Sequence, residues 1–217
     1  AVLCSARCLL GLAMLPSAAP QQVVPFNITW IQKELTSHEK DIVADLASRG
    51  FTLKALLKFL LDLLNKTGPG AFMPSFDPDT STTGNVVFEA IIPSTAGAGQ
   101  PYSTVFMQDV RGEKCHPRCM VTHHWRNKFV HLCAAVLADA TDEDFYFCYI
   151  PQLSSAQGVE HLLSSVRDEH LSKTYWICCF CVNQHKSICP SSCTCGLEKH
   201  TETDDPESEM NKFDEML

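Results

Sequence analysis

The chain has 217 residues, 45% of them hydrophobic and 19% charged, with a formal net charge of −8. That length can bury a core without covalent staples, and the apolar fraction excludes a disordered tail. The acidic balance, with no lysine- and arginine-rich stripe, excludes a dedicated nucleic-acid grip.

Residues 1–30 show no clear period and end in Pro20, Pro25 and Trp30. Residues 8–19 are apolar and small, which resembles a signal peptide, and Asn27-Ile28-Thr29 and Asn65-Lys66-Thr67 are glycosylation sequons. The twelve cysteines are many for a cytosolic protein but below the roughly 8–10% that marks a disulfide scaffold, so composition alone leaves the compartment open. Cys178, Cys179 and Cys181 lie in an apolar run where adjacent side chains point to opposite faces, so free thiols and a cytoplasmic location are the simpler expectation.

A helical pair follows. Thr36-Ser37-His38-Glu39 has capping-box spacing, Ile42, Val43 and Leu46 form an apolar stripe, and Gly50 reads as the stop. The second helix, 52–65, carries Lys54, Lys58 and Asp62 on one face. That polar stripe and the short length argue against a membrane span, which needs about 20 residues, and leave a membrane-surface helix as the lesser option. Residues 68–118 read as a connector rich in proline, glycine and threonine, with a short helix near 84–91 and a strand at 103–107.

From Cys119 the pattern alternates. Strands are expected at 119–123, 145–150 and 175–182, and helices at 127–140 and around Val159, Leu162, Leu163 and Val166. The third strand is apolar on both faces, as a central strand of a parallel α/β sheet requires. The expected division is thus a helical N-terminal region (1–67), a connector (68–118) and an α/β domain (119–217).

In such a sheet, ligands bind beyond the carboxyl ends of the strands. Two polar clusters fall there: His123, His124 and Trp125 after the first strand, and Asn183 and Gln184 after the third. They could converge in one ligand crevice. Alternatively, His123 and Trp125 close the core while Asn127 caps a helix.

Thr122-His123-His124-Trp125 resembles the S-Y-x-W of the heterokaryon-incompatibility (HET) domain. Trp176-Ile177-Cys178-Cys179-Phe180-Cys181-Val182-Asn183-Gln184 is similar to that family's W-[IV]-D-x-x-C-[IV]-[ND]-Q. The same pair, as T-H-x-W and V-N-Q-H, resembles a group of uncharacterised algal proteins over residues 70–217. The HET family is similar to the Toll/interleukin-receptor (TIR) fold, so the resemblance implies a TIR-like (flavodoxin-like) parallel sheet, here truncated, with further β/α units beyond Leu217. It also implies a signalling or interaction domain that meets a protein partner or self-associates, or else an enzyme that cleaves NAD. Cys178 stands where the family has Asp, and His123 where it has Tyr. NAD cleavage calls for a carboxylate near the ribose. Glu209, at the start of the segment resembling the helix after the family's N-Q motif, is the catalytic candidate, with Glu215 weaker.

A sulfur-rich loop completes the inventory. His185, Cys189, Cys193 and Cys195 have the spacing of a zinc site, with Cys115-x3-Cys119 as a further pair. Loop thiols, free or disulfide-bonded, are the alternative. Cys193 and Cys195 can share a metal only if the backbone turns at Thr194 or Gly196.

Overall fold

A computed structural model of the chain describes residues 34–107, 115–202, 205–210, 212 and 216. The apolar start, the Asn27 sequon and Glu215 lie outside them.

Helix α1 (Ser37–Ala47) starts at the expected capping box. The Glu39 N–H donates to the Thr36 hydroxyl, and the Thr36 N–H donates to the Glu39 carboxylate at 2.9 Å. Its C-cap is Ser48. Gly50 serves a different purpose from the expected helix stop: its backbone abuts the Cys115 carbonyl, and any Cβ would overlap that oxygen. Strand β1 (Phe51–Thr52) leads into α2 (Leu53–Asn65), where Thr52 caps the Ala55 N–H at 3.1 Å. Leu53, Leu56, Leu57, Phe59, Leu60 and Leu63 are buried, while Lys54 and Lys58 face solvent. The helix is a core element of the protein.

The segment expected to be a connector carries structure. After a 3₁₀ turn (Gly68–Phe72), α3 (Thr83–Val86), a π-turn (Val87–Ile91) and α4 (Ile92–Thr95) form one continuous rod. The wide turn immediately precedes Pro93, which has no N–H for the ladder. Residues 103–107 form a helix, α5 (Tyr102–Met107), and not a strand. Helical spacing stacks Tyr102 on Phe106 at 4.3 Å while Tyr102 reaches Phe59 at 5.1 Å.

The remaining elements are β2 (Cys119–Val121), α6 (Phe129–Thr141), a 3₁₀ turn (Tyr146–Tyr149), α7 (Ile150–Leu153), α8 (Ala156–Ser165), α9 (Asp168–Leu171), β3 (Thr174–Ile177), α10 (Cys178–Cys181) and α11 (Gln184–Ser187). The sheet is small and mixed, ordered β1-β3-β2. Val121 pairs with Ile177 in the parallel β2–β3 ladder, and Phe51 pairs with Tyr175 in the antiparallel β1–β3 ladder. The parallel neighbours and the central position of the buried third strand agree with the sequence pattern.

Two expected strands are corrected. Residues 145–150 are helical turns: β1 and β2 occupy both edges of β3, and Pro151 at the start of α7 favours helix. The run 175–182 is strand only as far as Ile177, after which Cys181 Sγ accepts the Ile177 N–H at 3.3 Å across a helical turn. An apolar stretch buried on all sides has no period with which to distinguish the two.

One core unites the described residues. Phe180 stacks on Phe51 at 4.4 Å and meets Phe59, Tyr102 and Phe129 edge-on. All three sequence segments therefore contribute to the same aromatic cluster. Among the described residues no helix is long and apolar enough to cross a membrane.

Candidate functional site

The parallel β2 and β3 end side by side, and their carboxyl ends bring the two motifs together. Cys178, the first residue after β3, is the meeting point. Trp125 Nε1 donates to its Sγ at 3.4 Å, and His123 Nε2 lies 3.9 Å from the same sulfur. Gln184 is buried and donates to the Cys178 and Cys179 carbonyls at 3.1 and 3.4 Å. His123 Nδ1 and Gln184 Oε1 are buried and find no hydrogen-bond partner among the described residues. Such orphaned polar atoms are costly, and they mark places where a bound molecule is rewarded.

The electrostatics describe a neutral site. Burial pushes the Cys178 thiol up from its ordinary range, against a smaller opposing pull from the Trp125 N–H. Burial likewise lowers His123 to about 4. At neutral pH the pair is thiol and imidazole, without the thiolate that makes a cysteine nucleophilic. The arrangement can donate and accept hydrogen bonds; it is not poised for attack.

Two sequence candidates lie elsewhere. His124 is exposed and accepts the Arg126 N–H at 3.1 Å, holding a turn rather than facing Cys178. Asn183 is buried and fully used: Oδ1 accepts from the His185 N–H at 3.0 Å and Nδ2 donates to the Gly99 carbonyl at 3.1 Å. Asn127 does not cap α6, whose N-cap is Lys128 with no side-chain bond.

Glu209, the catalytic candidate, is 4% exposed and saturated. Arg49 grips it with both terminal nitrogens, at 2.8 and 3.0 Å, and the Asn183 N–H donates to it at 2.7 Å. Arg49 also donates to Asp45 and to the Cys181 carbonyl. These contacts make Glu209 a clamp that fixes α1 against the α10–α11 turn.

The four sulfur-loop candidates do meet: one ligand atom from each of His185, Cys189, Cys193 and Cys195 lies within 4.8 Å of all the others. Cys115 is not in that group.

Sequence reasoning did not foresee the parts played by Arg49, Thr95 and Lys199. Lys199 carried a local signal, since it follows Cys195 by four residues. For Arg49 and Thr95, partners 160 and 90 residues away leave no local trace. In the sequence Cys178 reads as a thiol of an apolar run and as a departure from a motif; in the structure Trp125, His123 and Gln184 gather around it.

Comparison with protein-family models, with curated proteins and with solved structures finds no match to this chain.

Proposed function

We propose that the chain is a signalling or interaction domain of the HET/TIR-like kind, without catalytic activity, whose ligand crevice lies at the carboxyl ends of β2 and β3. The observation that carries this reading is the convergence of the T-H-x-W and N-Q segments on Cys178, with two buried polar atoms left for a ligand. The neutral Cys178–His123 pair and the occupied Glu209 carboxylate favour binding over NAD cleavage, which would need a carboxylate turned toward the ribose. Phe145 and Phe147, 76% and 60% exposed, supply apolar surface for self-association or a protein partner.

Two readings on one purified sample test this. Incubation with NAD is expected to release no nicotinamide, and sedimentation is expected to show a mass that rises with protein concentration. Nicotinamide release that disappears in a folded Glu209→Gln variant would establish the hydrolase instead. A mass that stays monomeric over the whole concentration range would remove self-association.

A further inference from the structure

Next to the crevice, the loop that follows α11 gathers soft donors around one point. We infer that His185, Cys189, Cys193 and Cys195 hold one structural zinc ion, with Thr95 fixing the histidine and Lys199 balancing the thiolate charge. This inference stands apart from the crevice and does not need it to bind anything.

Geometry is the first support. Cys189 Sγ and Cys195 Sγ are 3.7 Å apart, and Cys193 Sγ is 3.4 Å from His185 Nδ1. Tetrahedral zinc, with bonds of about 2.3 Å to sulfur and about 2.0 Å to nitrogen, places two sulfurs about 3.8 Å apart and a sulfur and a nitrogen about 3.5 Å apart. Two opposite edges of the tetrahedron are therefore formed. The turn that lets Cys193 and Cys195 face the same point is present at Thr194–Cys195, followed by Gly196 at φ +66°. Backbone bonds hold the other donors: the Cys189 N–H reaches the Gln184 carbonyl at 2.9 Å, and the Cys193 N–H reaches the Pro190 carbonyl at 2.9 Å.

The second support is the state of the imidazole. Thr95 Oγ1 lies 2.8 Å from the Ile91 carbonyl and 2.8 Å from His185 Nε2. A hydroxyl has one proton and a carbonyl can only accept, so the proton goes to Ile91 and Thr95 accepts from Nε2–H. A neutral imidazole protonated at Nε2 keeps its lone pair on Nδ1, the atom beside Cys193. Metal-binding histidines are held this way, through the nitrogen that faces away from the metal.

Charge is the third. Three thiolates around a dication leave one negative charge. Lys199 Nζ stands 2.5 Å from Cys189 Sγ and 3.9 Å from Cys195 Sγ, and it is anchored by the His185 carbonyl at 2.5 Å. Three cysteines and one histidine fill all four positions, which assigns the ion a structural role with no open site for substrate.

The test uses the whole chain purified under reducing conditions. Elemental analysis should find about one zinc per chain, and X-ray absorption a shell of three sulfurs near 2.3 Å and one nitrogen near 2.0 Å. Cys193→Ser should lose the zinc while Cys148→Ser, an exposed free cysteine, keeps it. Thr95→Val should weaken zinc binding about 10–100-fold in competition with a chromophoric chelator. Less than about 0.2 zinc per reduced chain after zinc is added would overturn the inference. So would an all-oxygen metal shell, or a disulfide joining any two of the three cysteines in protein trapped by alkylation. Unchanged affinity in Thr95→Val would overturn the role given to Thr95. If Cys193→Ser does not fold, the absorption shell of the unaltered protein decides.

Discussion

The crevice at the strand ends and the loop beside it are built from the same residue types, cysteine and histidine, and put them to opposite uses. At the strand ends, regular structure and burial hold Cys178 and His123, and desolvation keeps both neutral. In the loop Cys189 belongs to the core and Cys193 and Cys195 are half-buried against it, and the donors also meet one another. The neighbours make the difference: Cys178 sits between an indole and an imidazole, whereas Cys189, Cys193 and Cys195 sit beside one another, His185 and Lys199. Asn183 joins the two, since its N–H is held by Glu209 while its side chain caps the turn that delivers His185.

The comparison breaks most severely at that joint. Glu209→Ala removes the buried one of the two carboxylates that hold Arg49, leaving Asp45, and takes the acceptor from the Asn183 N–H, so chemical denaturation should show a loss of about 3–4 kcal/mol. Both regions should loosen together. A loss below about 1 kcal/mol would mean that the clamp does not hold them.

A smaller effect is expected from pH and belongs to the crevice. His123 is lowered to about 4 in the folded chain from an ordinary 6.5. The unfolded chain therefore binds the extra proton first, and the stabilisation is fully present above pH 6.5 and is lost as pH falls toward 4. Unfolding titrations should show a decline of up to about 3 kcal/mol across that window. In His123→Gln that part of the decline should vanish.

Trp125→Phe tests the bond to sulfur. The ring stays beside Phe88, now 6.5 Å away, and the N–H to Cys178 is lost, so stability should fall by about 1 kcal/mol. Smallest of all, Phe145→Ser should change stability by less than about 0.5 kcal/mol, because the ring is 76% exposed. The same variant should reduce concentration-dependent association if that surface is used.

What the sequence made legible follows from the range of the forces involved. The capping box at Thr36, the buried face of α2 and the parallel pairing of 119–121 with 175–177 rest on local chemistry or strong apolar patterning. Residues 145–150 misled because a short aromatic run has no period that separates strand from helix, and Pro151 at the start of α7 favours the helical turns. Likewise Glu209 is an acid near a turn when read along the chain. Its role appears only when Arg49 arrives from the far end. The four donors His185, Cys189, Cys193 and Cys195, by contrast, lie close together along the chain, so their meeting could be read from their spacing.

The difference between the strand ends and the loop in which we infer a zinc is tested most directly by hydrogen exchange of the whole chain before and after zinc chelation. Amides of residues 185–200 should lose protection by at least about tenfold, while those of 119–121 and 174–177 keep theirs. Unchanged protection in the loop, or equal loss in both regions, would contradict the account.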